Sequence, residues 1–328
     1  MQRFKNILCV VGPGPDGRDA VVRALTLATN NQARLTIVEV IDEIPPNTTL
    51  MERVLSPVDL KAMLVAEHQK GLQELVASLS SNIEIQTEVL TLTCEPYWEI
   101  ISDVLRNGRD LVIKMTESGG LIDRVFGSDD MHLLRKCPCP VWLVKSKSPK
   151  VYKRILATVD VNDSYPSNEL NTRHLLNCQV LEMASSLALS EFAELHIVYI
   201  WKAMLESTMR SAFIHRPEDE VVAYVEDEMQ RHKQNFNIFM DETIGSLGAK
   251  TLEHIKPQLH LLKGSPQSKI PVCAKEIKAD LVIMGTVART GIPGLFMGNT
   301  AETILNQLNC SVLAIKPPSF ETPVTVEG

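Results

Sequence analysis

Short apolar runs rich in β-branched residues recur along the whole chain. In the first half they fall at residues 7–11, 35–41, 83–92, 111–115 and 141–144, and in the second at 155–159, 195–200, 259–262, 281–284 and 312–315. Most are nearly continuous rather than alternating. A continuous run reads as a strand buried on both faces, which calls for a parallel sheet with helices packed on either side. Between the runs, residues 18–30, 60–79 and 221–244 carry apolar positions at helical spacing. Strand and helix in alternation predict an α/β fold of two doubly wound domains, each with a five-stranded parallel sheet flanked by helices.

The pattern is written twice. Asp110-Leu-Val-Ile-Lys114 leads through Phe126-Gly-Ser128 to Cys139-Pro-Val-Trp-Leu-Val-Lys145, and Asp280-Leu-Val-Ile-Met284 leads through Phe296-Met-Gly-Asn299 to Cys310-Ser-Val-Leu-Ala-Ile-Lys316. Asn6-Ile-Leu8 and Arg154-Ile-Leu156 open the two copies alike. A repeat of this length is a duplicated domain, not a solenoid unit. Pro96 and Pro266 each stand where a first helical residue belongs, since a missing N–H costs nothing there. Asp110 and Asp280 each precede a fourth strand. The expected domains are residues 1–147 and 151–318, joined by the polar linker Lys145-Ser-Lys-Ser-Pro-Lys150, with a tail at 319–328. Prolines 317, 318 and 323 predict that the end is extended and poorly ordered. The second copy is longer by about twenty residues before its fourth strand, lengthening the stretch after its first strand and the helix after Trp201.

Composition narrows the class. Hydrophobic residues at 45% and charged residues at 22% of 328 describe a soluble globular protein. A net charge of -7 argues against wholesale attraction to nucleic acid or to an anionic membrane. The apolar run at 7–11 is too short for a signal-peptide core or a span, so no membrane insertion is expected. Seven scattered cysteines suit free thiols in a reducing cytoplasm.

Two stretches invite a phosphate reading. Gly12-Pro-Gly14-Pro-Asp-Gly17 fits G-x-G-x-x-G after a strand, but a dinucleotide loop aims backbone N–H groups at pyrophosphate, and Pro13 and Pro15 have none. An ordinary turn is the better reading there. The stretch from Gly285 to Thr300 starts at the C-terminal end of the fourth strand, where open parallel sheets bind ligands. It ends in Gly298-Asn-Thr-Ala-Glu302, the opening of a helix. Free N–H groups, the Asn299 amide, the Thr300 hydroxyl and the Arg289 charge suit an anion. The competing reading is a capping box, with Asn299 as N-cap and Glu302 three residues on.

These residues, with two copies in one chain, resemble the universal stress protein family: D-L-V-I-M-G, a glycine loop, G-N-T-A-E and a closing C-S-V-L-A-I-K strand. The resemblance covers all but the tail. It implies strand order 3-2-1-4-5 in each half and a cytoplasmic role in surviving growth arrest or DNA damage. Part of the family binds ATP through G-x2-G-x9-G-[S/T] and an Asp after the first strand. Carried over, that motif places Asp160 against adenine or ribose and Ile200 against the base. Gly285 and Gly298 hold the first and third glycine positions, Ala288 replaces the second, and Asn299 stands for Ser or Thr with Thr300 beside it. The first copy departs further: Gly12 stands in place of the Asp, Met115 and Ser118 replace glycines, and the spacing to Gly127-Ser128 is one residue short. An adenine nucleotide such as ATP is thus expected in the second domain only. The resemblance also implies that the duplication mimics a family homodimer packed through fifth strands, with or without further dimerisation.

Other constellations are weaker. Cys137-Pro-Cys139-Pro140 is half a metal site at best and reads as the buried entry to a strand. His254 and His260 read as solvated, and Trp142 and Trp201 as packing residues. No nucleophile or acid–base pair is nominated, so a non-catalytic role is expected. Two alternatives stay open: a scaffold or carrier for a partly apolar ligand, drawn from Ile292, Leu295, Phe296, Met297, Met204 and Met209, and a nucleotide-dependent enzyme.

Overall fold

The structure is a computed structural model, and it describes residues 4–12, 17–43, 57–79, 85–91, 95–116, 126–145, 148–247, 255–286 and 297–325. The chain divides into two compact units. One comprises the first half up to Lys150 together with Asn309–Ala314 and the tail from Phe320; the other comprises Val151–Leu308 and Ile315–Ser319.

The first-half unit runs β1 (Asn6–Val11), α1 (Arg18–Asn31), β2 (Arg34–Ile41), α2 (Pro57–Ala77), β3 (Ile85–Thr91), α3 (Pro96–Asn107), β4 (Leu111–Met115), α4 (Ser128–Lys136) and β5 (Val141–Val144). The strands stand in the order β3-β2-β1-β4-β5, every pair parallel. β1, β4 and β5 are buried at every position, as continuous apolar runs require. β3 lies at the edge and is only partly covered, so its exposure alternates along much of its length. Pro96 is the first residue of α3, as its missing N–H predicts.

The second-half unit repeats the plan with β6 (Arg154–Val159), α5 (Ser167–Glu191), β7 (Glu194–Trp201), α6 (Glu206–Met209), α7 (Glu218–Leu247), β8 (Gln258–Lys263), α8 (Pro266–Glu276), β9 (Leu281–Gly285) and α9 (Asn299–Leu305). Strands β8-β7-β6-β9 are adjacent and parallel. Ile315, at the end of the fifth strand β10 (Ser311–Ile315), accepts the Thr286 N–H at 3.2 Å, just past β9. The extra residues sit where length demanded: α5 has 25 residues against 14 in α1, and α7 has 30 against 21 in α2.

Two devices recur in both units. The Asp110 carboxylate accepts the Lys5 N–H at 2.6 Å and the Asn6 N–H at 3.1 Å, tying the start of β1 to the start of β4. Asp280 accepts the Lys153 and Arg154 N–H groups at 2.7 and 3.0 Å in the same way. The helix before each fourth strand ends on a left-handed residue, Gly108 (φ 61°) in one copy and Lys278 (φ 54°) in the other.

The tail departs from expectation. Phe320 and Val324 are buried, and the tail packs with the first-half unit, because two apolar side chains outweigh the local preference of the prolines. His260 also departs: it lies on β8 and its Nε2 is 3.0 Å from Nδ1 of His196 on β7. His254 lies outside the described residues. Cys137 and Cys139 are buried with their sulfurs 3.6 Å apart, and Trp142 and Trp201 are packed inside.

Candidate functional site

In the second-half unit, the crevice at the C-terminal strand ends is laid out by register. Val159 pairs with Tyr199 and Ala157 with Ile283, so Asp160 follows β6 beside Ile200, near the end of β7, with Gly285 at the end of β9 on the other flank. Gly298 donates its N–H to the Thr286 carbonyl at 3.2 Å, which brings the start of α9 to the same end of the sheet. Asp160, Ile200, Gly285, Gly298, Asn299 and Thr300 are therefore gathered at one end of the unit. Arg289 and Ala288 lie outside the described residues.

Gly298 is the helix N-cap, in extended backbone (φ -65°, ψ 143°), and no side chain caps it. Asn299 is the first residue of α9 and exposed, as is Thr300, so the capping-box reading with Asn299 as N-cap is not what forms. Of the apolar residues nominated for a carrier surface, Met297 is buried, Met209 half-buried and Met204 exposed. Ile292, Leu295 and Phe296 lie outside the described residues.

Several of the chain's own side chains pack around these residues. Tyr165 donates its hydroxyl to the Asp160 carboxylate at 2.7 Å, and the Arg173 guanidinium reaches the same oxygen at 3.4 Å. Arg173 lies 3.6 Å above the Tyr165 ring and is held by Glu169 at 3.0 Å. Burial and the adjacent Asp160 charge hold the Tyr165 phenol well above its usual range, so it remains a donor. Asn177 clamps the Asp160 backbone from both sides, accepting its N–H at 3.0 Å and donating to its carbonyl at 2.8 Å. Leu176 covers Gly285: a Cβ built on that glycine would lie 2.6 Å from a Leu176 methyl group.

Tyr165, Arg173, Leu176 and Asn177 were not nominated by motif. A signal for two of them was present: Arg173 and Asn177 stand four apart on α5, in line with Glu169, on one face of the helix that follows the Asp. Nothing in that spacing says which way the face turns.

The corresponding corner of the first-half unit is built differently. Lys114 on β4 meets Asp130 on α4 at 2.6 Å, both buried. Asp129 and Asp130 occupy the first turn of α4, so carboxylates stand at the positive end of the helix. In the repeat, Lys114 corresponds to Met284 and Asp130 to Ala301, both buried. Where one copy has a buried ion pair, the other has two buried apolar residues.

Two doubly wound units of matching strand order, with repeated Asp ties and a crevice at the strand ends, define a tandem α/β protein of one duplicated domain. The model of the universal stress protein family matches residues 3–145 and 175–316, and the chain belongs to that family. It is 30% identical to Universal stress protein E of Escherichia coli strain K12, over 100% of this chain and 98% of the relative. It is likewise 30% identical to the Universal stress protein E homolog of Haemophilus influenzae, over 96% of this chain and 98% of the relative. A solved structure from Pseudomonas aeruginosa UCBPP-PA14, described as of this family, aligns with a TM-score of 0.66 at 26% identity, covering 96% of this chain and 94% of that one. Among the described residues, no helix is long and apolar enough to cross a membrane.

Proposed function

We propose that the chain is a stress-response protein acting by binding and conformation rather than by catalysis, and that its second-half unit carries an adenine-nucleotide site held shut by its own side chains. The observation that carries this reading is the packing around Asp160 and Gly285. Asp160 stands at the strand ends beside Ile200 and Gly285, but its carboxylate is taken by Tyr165 and Arg173, and Leu176 fills the space over Gly285. A nucleotide would have to displace a partly exposed charge-assisted contact, worth at most about 1 kcal/mol, and a half-buried leucine, worth about 1–2 kcal/mol. Such a site responds to a conformational change in α5 more than to nucleotide concentration alone. Two family domains in one chain stand in for a homodimer of single domains, in a cytoplasmic setting.

Titration calorimetry with Mg-ATP tests this. The wild-type chain is expected to show no saturable binding tighter than about 1 mM, or about 4 kcal/mol. Substituting Leu176→Ala together with Tyr165→Phe is expected to tighten binding at least tenfold, and Asp160→Asn in that background to remove the gain. A folded double variant that stays silent at millimolar Mg-ATP would sink the nucleotide reading. ATP turnover abolished by Asp160→Asn would instead favour an enzyme.

A further inference from the structure

The first-half unit contains a cavity of about 420 Å³ lined by Trp98, Arg106, Lys136, Pro323, Val324 and Thr325. It lies between α3, the end of α4 and the tail. Its volume is in the range of small-molecule sites. Its chemistry is unusual for this chain, which is acidic and poor in aromatic residues. Trp142 and Trp201 are buried in the core, whereas Trp98 is half-buried and faces this space.

Lys136 donates to the Tyr97 hydroxyl at 3.0 Å and lies 4.2 Å over the Tyr97 ring, and among the described residues neither it nor Arg106 has an acidic partner. Tyr97 in turn stacks on His132 with ring centroids 4.6 Å apart, so the ammonium is held by an aromatic shelf rather than by an opposite charge. Trp98 and Arg106 are eight residues apart on α3, which separates them by roughly 12 Å along the axis. That span accepts one ring system with an acidic group at its end. The opposite wall is the tail, fixed by the burial of Val324 and by its N–H bond to the Thr322 hydroxyl at 3.2 Å.

From this geometry we infer that the cavity bounded by Trp98, Arg106, Lys136 and the tail is a binding site for a small planar aromatic anion, its ring against Trp98 and its acidic group between Arg106 and Lys136. Two cations beside a half-buried indole favour a ligand that supplies both a π face and a negative charge. The site is independent of the Asp160 crevice and stands or falls separately from it.

The test uses the full chain and 2-naphthoate as probe, with 2-naphthamide as the uncharged counterpart and inorganic phosphate as the ringless one. Calorimetry is expected to show saturable 2-naphthoate binding below about 1 mM, with the amide and phosphate each at least tenfold weaker. Tryptophan fluorescence should change on binding in the wild type and not in Trp98→Phe. Arg106→Gln and Lys136→Gln should each weaken binding about tenfold with unchanged circular dichroism. Arg106 is exposed, so its variant tests the charge without a folding cost. Equal affinity for acid and amide, unchanged affinity in Arg106→Gln, or no saturation with 2-naphthoate would overturn the assignment.

Discussion

Lys114 and Asp130 form a buried ion pair at positions that Met284 and Ala301 hold in the second copy. A buried ion pair is often no more stable than its apolar replacement, but removing one member strands the other. Asp130→Ala alone should therefore cost about 3–5 kcal/mol in urea unfolding of the first-half unit. Lys114→Met with Asp130→Ala, which writes the second copy's residues into the first, should recover most of that loss. If the double variant is no more stable than the single, the matched-pair account fails. Gly108 and Lys278 form a second matched pair, since both adopt the left-handed conformation. Only glycine does so without a Cβ penalty, so Lys278→Gly should stabilise by up to about 1 kcal/mol. A differential scanning measurement showing a lower Tm would contradict this. Asp110 and Asp280 were visible as a repeated residue before the fourth strand, but their task of tying down the first strand needed the sheet, because their partners lie 105 and 127 residues away along the chain.

At the scale of elements, strand positions were legible because burial on both faces leaves a continuous apolar signature. The residues 111–115 and 141–144 read from the pattern match β4 and β5 end to end. The α5 face was not legible: helical spacing shows that Glu169, Arg173 and Asn177 share a side, not that the side meets Asp160. The pairing of β7 with β8 likewise created the His196–His260 contact, which no local pattern announces. Burial lowers the pKa of both imidazoles below 6.5, and at His196 the neighbouring His260 adds to the effect. Glu194 and Arg154 also face His196, the carboxylate raising its pKa and the guanidinium lowering it. The sign follows from proton counting. Above pH 6.5 both rings are neutral folded or unfolded, and stability is complete. As the pH falls below 6.5, the unfolded chain takes up protons that the folded chain refuses, so stability falls until the depressed folded-state pKa is passed. The slope is at most about 1.4 kcal/mol per pH unit for each ring. Urea unfolding at pH 7.5 and 5.5 should show the loss, and His260→Gln should reduce it; an unchanged slope would exclude the pair as its source.

For the whole molecule, sequence order and spatial grouping part company at the end of the chain. β5 pairs antiparallel with β10, Val312 opposite Leu143 and Ala314 opposite Val141, and Asn309–Ala314 cluster with the first-half unit. Phe320 and Val324 are buried in that same unit. Ending the chain at Leu308 leaves residues 1–150 intact but strips the first-half unit of Asn309–Ala314 and of Phe320 and Val324, and should therefore weaken it by at least about 2–4 kcal/mol and leave the apolar edge Val141–Val144 prone to aggregate. Pulse proteolysis of the two halves would show it. Selective loss of the second-half unit alone would contradict the grouping. By itself, the sequence determined the duplicated α/β plan, the strand positions and the family, since these rest on periodicity and repetition carried within short windows. Only the tertiary structure decided that Tyr165 and Arg173 meet Asp160 and Leu176 covers Gly285, that Lys114 pairs with Asp130, and that the tail walls a cavity. Those outcomes depend on which faces meet across long stretches of chain, and side-chain direction over such distances is set by packing rather than by local spacing.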